Sequence, residues 1–165
     1  MKPIFVQRGK LERVKPKERR SDRNLPVIWC IEPIVFECTY QGRRKRYTIG
    51  LKARGDGASA PWIARLIIDI FTRGLASRAF MIHDILCQCR NVEKEEADFV
   101  LNEAMKAAHF PGWLRKRIYN SVRGSPVRNN WPQDGLSAIL RPDGLPGAFA
   151  ECPIETLDQE PIPAA

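Results

Sequence analysis

The sequence predicts an α+β protein, mostly α, with a small N-terminal β-hairpin packed on a four-helix unit whose centre is an antiparallel helix pair. Three observations predict it. Residues 27–51 are rich in β-forming side chains and are punctuated by Pro33 and by Gln41-Gly42. Residues 60–123 carry apolar side chains at helical spacing in successive blocks with short breaks between them. Outside this centre lie a basic head and an acidic, proline-rich tail, and a chain of 165 residues suits one domain with such extensions.

Residues 1–26 hold nine Lys/Arg and three Asp/Glu and few large apolar groups. They are expected to form a basic flexible arm that orders only on a partner. A single globular domain is expected over 27–128. Within it Val27, Ile28, Trp29, Ile31, Ile34, Val35 and Phe36 favour strand, and Pro33 should interrupt or edge the first one. Gln41-Gly42 is a turn that leads into a strand over Arg46–Leu51, so the basic run Arg43, Arg44, Lys45 and Arg46 is expected at or just after the turn, exposed. Gly55-Asp56-Gly57-Ala58-Ser59-Ala60-Pro61 reads as a loop, in which Ser59 can cap the next helix and Pro61 fits its first turn.

That helix should run from Ala60 to Phe71, with Trp62, Leu66, Ile67 and Ile70 inward, and Gly74 ends it. A second helix over Leu75–Cys89 is apolar almost all round, which places it centrally. A third, Val92–Ala108, follows after so short a connector that the two should form an antiparallel hairpin. Pro111 opens a fourth helix to Val122, with Trp113, Leu114, Ile118 and Tyr119 as its apolar part and Trp113 expected in the core. Residues 129–165 hold six of the thirteen prolines and no periodicity, and read as an acidic extended tail.

The net charge of +8 is unevenly spread, with +6 in residues 1–26 and −5 in residues 131–165. A basic head and centre can meet nucleic acid or anionic lipid, serve solubility, or pair with the chain's own acidic tail. Nucleic acid ranks last, because neither a stacking platform nor a recognition helix is visible. The five cysteines form no C-x-x-C pair, which argues against a zinc ribbon or a thioredoxin-type site. The N-terminus has no apolar h-region, and no apolar run reaches the roughly 18 residues of a membrane span. The expectation is a reduced, soluble, intracellular-type protein without a transmembrane segment.

His83 and Asp84 interrupt the apolar second helix, where unpaired polar groups cost roughly 2–7 kcal/mol, so they must meet partners. Asp98 on the antiparallel third helix, beside the small Ala97, is one candidate; Asp56 in the glycine-rich loop is the other. In the functional reading His83 is a general base that takes a proton from water, and Asp98 accepts its other ring N–H. Asp84 points about 100° away around the helix. It can face the loop of Gly55, Gly57 and Ser59, where its carboxylate, loop carbonyls and Asp56 would make an oxygen cage suited to calcium. A structural role accounts for the same residues: His83 and Asp84 cross-brace two helices and the loop, while Asp56 and Ser59 cap a helix. Cys87, one turn after His83, can line the same pocket, although free cysteines are more often core. His109 sits at a helix end, where capping is expected.

The segments GDGASAP (55–61), MIHDIL (81–86), EEADFVLNEAMKAAHF (95–110) and RKRIYNSVR (115–123) resemble the phage- and prophage-associated domain of unknown function 1353 over about residues 27–124. Cys87 stands where its members usually have tyrosine, and Gly55 where threonine is usual. The order of a glycine-rich loop, a His-Asp helix and an antiparallel Ala-Asp helix is also similar to small secretory phospholipases of the A2 type. That likeness implies His83 as base, Asp84 as a calcium ligand, Asp98 as the orienting carboxylate and ester hydrolysis of phospholipid. The phage resemblance implies a host-cytoplasmic or virion location. It also implies an alternative: a non-catalytic virion, tail or assembly component that binds other phage proteins through its arm and tail.

Overall fold

Strand-forming residues dominate 28–49, and Pro33, with no N–H to give to a ladder, divides them. The computed structural model describes residues 2–13, 28–50, 54–55, 75–87, 89, 91–124 and 153–157. Its strands are β1 (Ile4–Gln7), β2 (Lys10–Arg13), β3 (Ile28–Glu32), β4 (Ile34–Tyr40), β5 (Arg43–Ile49), β6 (Arg54–Gly55) and β7 (Ile154–Leu157). They make a four-stranded sheet in the order β1-β4-β5-β7 and a three-stranded sheet in the order β2-β3-β6, with every pairing antiparallel. The chain passes from one sheet to the other at Pro33. The β1–β2 segment makes the same passage at Gly9, whose φ is +60° and whose added Cβ would lie 2.6 Å from the Glu32 carbonyl oxygen. Two strand pairs therefore bend together at one corner, and Arg78 of the first described helix donates to the Gly9 carbonyl there at 3.0 Å.

The β4–β5 hairpin turns at Gln41-Gly42, as expected. Their φ values of 48° and 77° are those of a type I′ turn, which matches the twist of the flanking strands. The second strand starts at Arg43, directly after the turn. A two-stranded hairpin leaves edges unpaired and is marginal alone, and here other segments cover those edges. The expected arm supplies β1 and β2, with the Phe5 ring 5.1 Å from that of Phe36, and the expected extended tail supplies β7. Among the described residues strand therefore takes a share comparable to helix, and two antiparallel sheets stand where a small hairpin was expected.

Three helices stand among the described residues, rather than the expected four: α1 (Leu75–Leu86), α2 (Lys94–Ala107) and α3 (Gly112–Arg123). The helix expected over 60–71 lies outside the described residues. α1 and α2 pack side by side, and the short connection between them makes the pair antiparallel. Leu75, Ala79, Met81, Ile82, Ile85 and Leu86 of α1 are buried, with Ala97, Val100, Leu101, Ala104 and Met105 of α2. The inner residues Phe36, Tyr47 and Ile49 of the larger sheet join this core. α2 faces that sheet, where the Tyr40 and Phe99 rings lie 5.2 Å apart and the Tyr47 hydroxyl donates to Glu96 Oε1 at 2.9 Å.

α2 ends in a Schellman arrangement, with Phe110 N donating to Met105 O and His109 N to Lys106 O. His109, at φ +60°, takes the left-handed position where glycine is favoured. α3 buries no residue fully: Leu114, Ile118 and Val122 lean on the core while Trp113 is 70% exposed, contrary to its expected core placement. The apolar contacts of α3 begin at Leu114, so Trp113, beside the exposed Gly112, is left in water. No described helix is long and apolar enough to cross a membrane.

Candidate functional site

An imidazole on a central helix needs a partner, and the antiparallel pairing of α1 and α2 supplies one. His83 Nε2 lies 2.9 Å from Asp98 Oδ1. Asp98 Oδ2 accepts from Lys94 Nζ at 2.5 Å, one turn earlier on α2, and Lys94 also donates to the Val122 carbonyl of α3 at 3.1 Å. An ionised carboxylate only accepts, so Nε2 is the nitrogen that donates to it, and whenever the ring holds a single proton Nδ1 is the acceptor nitrogen. The Asp98 side chain is 4% exposed and that of His83 is 14% exposed. Burial by itself would raise the Asp98 carboxyl, but the hydrogen bonds from His83 and Lys94 and the positive charge of Lys94 outweigh it and hold it below the usual aspartate value. The anion is thus stabilised in place, and the ring it orients keeps an edge to solvent.

Cys87 belongs to the same cluster. Its Sγ is 3.4 Å from His83 Nε2 and 4.0 Å from Nδ1. One ligand-type atom from each of His83, Cys87 and Asp98 falls within 4.8 Å of the others. Burial, reinforced by the negative charges of Asp84 and Asp98, pushes the Cys87 thiol up to about 12, so it is protonated at neutral pH and unsuited to nucleophilic attack. Cys30, Cys38 and Cys87 are free thiols, whereas Cys89 is disulfide-bonded, which departs from the expected fully reduced set.

The other expected site residues divide into three groups. Asp84 is partly exposed on α1 and already has a partner. Gly55 ends β6, opposite Ile28, and α1 packs on this strand. Asp56, Gly57 and Ser59 lie outside the described residues. Sequence reasoning missed Lys94, although its i,i+4 spacing to Asp98 on a helix was a readable signal.

The expected exposed basic patch is corrected. Arg43 is exposed, but Arg44 and Arg46 both pair with the buried Glu37, Arg46 pairs with Glu155 at 3.1 Å and Lys45 with Glu96 at 2.8 Å. Strand register causes this, since β5 lies between β4 and β7, so Glu37 and Glu155 stand opposite Arg46 on either side. The two guanidiniums overcome the cost of burial and hold the Glu37 carboxyl below its usual range. His109 is exposed at the end of α2, away from the cluster in sequence and serving the helix terminus as expected.

No curated protein and no solved structure matches the chain. The segments that build the cluster, from β4 to the last turn of α3, are nevertheless those that a family description covers. With residues 33–122 matched, more than half of its length, the chain belongs to the family described as protein of unknown function (DUF1353).

Proposed function

We propose that this chain is a phage-encoded hydrolase whose His83–Asp98 dyad activates water for calcium-assisted ester hydrolysis of phospholipid. The observation that carries the reading is the 2.9 Å contact between His83 Nε2 and a buried Asp98 carboxylate. With Nε2 held, Nδ1 takes a proton from water as the oxygen attacks the ester carbonyl carbon, and Asp98 stabilises the charged ring. The ring then returns the proton to the departing alcohol, so the nucleophile is water and no covalent intermediate forms.

Asp84, Asp56 and carbonyls of the loop holding Gly55, Gly57 and Ser59 would hold the calcium ion. This donor set is all oxygen, as calcium requires, and α1, which carries Asp84, packs against the strand that ends at Gly55. The ion would polarise the ester carbonyl. The outward face of α3 suits an anionic lipid surface, because exposed Trp113 stands one turn from Lys116 and Arg117 in a helix without an acidic residue. Hydrolysis of anionic phospholipid vesicles, with calcium and with chelator, tests the reading. His83→Ala is expected to abolish turnover, and activity unchanged in that variant ends the proposal.

A second reading is a non-catalytic virion, tail or assembly component. Lys94 favours it, because this one ammonium joins Asp98 to the Val122 carbonyl and so braces α2 to α3 around the same cluster. Co-purification with phage particles, with no hydrolysis of lipid, is its expected signature.

A further inference from the structure

We propose that His83, Cys87 and Asp98 form a binding site for a borderline-soft divalent metal of the zinc type, distinct from the oxygen site expected for calcium. His83 and Cys87 are four residues apart on α1, so both side chains leave one face of the helix, and Asp98 approaches from the antiparallel α2. Nε2 is 3.4 Å from Sγ and 2.9 Å from Oδ1, and one ligand-type atom from each of the three residues lies within 4.8 Å of the other two.

Tetrahedral zinc, with bonds of about 2.0–2.3 Å to N, O and S, requires donors roughly 3.3–3.6 Å apart. Nε2 and Sγ already meet that separation, and Nε2 and Oδ1 need to open by only a few tenths of an ångström. The donor chemistry selects the metal class. A nitrogen, a sulfur and one carboxylate oxygen suit zinc, cobalt or nickel and are poor for calcium or magnesium.

The surroundings suit it too. Lys94 holds Asp98 Oδ2, which leaves Oδ1 for the metal and orients the carboxylate in the manner of outer hydrogen-bond partners at known metal sites. His83, with 14% of its side chain exposed, gives an entry path. Three protein ligands leave one coordination position for water. Binding releases the Cys87 thiol proton to solvent and moves the ring proton from Nε2 to Nδ1, so that a neutral imidazole ligates the metal, with no change in oxidation state. It also separates His83 from Asp98, so a bound metal switches off general-base chemistry at Nδ1. This last consequence rests on the hydrolase reading, whereas the metal site does not.

The test uses cobalt(II) added to the full-length chain, followed by absorption spectroscopy and equilibrium dialysis. One cobalt per chain is expected, with a thiolate-to-cobalt charge-transfer band in the near ultraviolet, and zinc should displace it. Cys87→Ser should lose the band, and His83→Gln should bind at least tenfold more weakly while keeping all thiols. Far-UV circular dichroism reports whether each variant folds. Should the serine variant unfold, the histidine variant alone decides, because its affinity falls only if the ring is a ligand. Absence of the band in the wild-type chain, or an undiminished band in folded Cys87→Ser, which would point to Cys30 or Cys38, overturns the proposal. Hydrolysis is not needed for any of these readings, so failure of the hydrolase proposal leaves the metal result distinguishable.

Discussion

A double-mutant cycle on His83 and Asp98 measures whether the two side chains act as one unit. Asp98→Ala removes a buried carboxylate that accepts from His83 at 2.9 Å and from Lys94 at 2.5 Å. Breaking a buried ion pair costs about 3–5 kcal/mol. Lys94 keeps its bond to the Val122 carbonyl and is a quarter exposed, so it can rehydrate, which places this variant near the lower end, about 3 kcal/mol. His83→Ala loses one charge-assisted hydrogen bond and some packing, about 2 kcal/mol. Because both variants lose the same bond, the double variant should cost about 1.5–2 kcal/mol less than the sum. Urea unfolding at neutral pH reads this directly. At a slope of about 2 kcal/mol/M, Asp98→Ala should lower the midpoint by about 1.5 M with the slope unchanged. A coupling energy below about 0.5 kcal/mol would falsify the claim that the dyad is a real interaction in solution.

Three further expectations follow from the fold. Gly9→Ala should destabilise by at least about 1–2 kcal/mol from its left-handed φ alone, and by more because its Cβ would meet the Glu32 and Pro33 carbonyls; wild-type thermal stability in that variant would remove the sheet corner. His109→Gly should stabilise by about 1 kcal/mol, by relieving φ +60° at the α2 terminus, and an unchanged or lowered urea midpoint counts against the terminus described. Glu37 and Asp98 are held below their ordinary values of 4.5 and 3.8, so their contribution is complete above those values and is lost as pH falls through the folded-state ones. The urea midpoint should therefore drop below about pH 4.5, less steeply in Glu37→Gln, and identical acid profiles for the two proteins would refute this account of Glu37.

Much of the helical half was legible in the chain. α1, apolar almost all round, lies in the core as expected, and α2 buries Ala97, Val100, Leu101, Ala104 and Met105 on one face, because local spacing decides which face of a helix can leave water. The meeting of His83 with Asp98 was legible for a related reason: a short connector forces neighbouring helices to run antiparallel, and a polar pair on an apolar helix must find a partner. The Gln41-Gly42 turn was legible from its residue types.

The sheets were not, since pairing joins segments far apart along the chain. Residues 4–13 and 154–157 look charged and featureless until β4, β3 and β5 offer them an edge. The same pairing turned Arg44, Lys45 and Arg46 from an apparent free patch into partners of Glu37, Glu96 and Glu155. Residue types along the chain set the preferences for helix, strand and turn, and singled out the polar groups that burial would compel to pair. Tertiary structure decided which charges cancel, that Lys94 and Cys87 join the dyad, and that Trp113 faces water, because these depend on distances between segments that local preference does not encode.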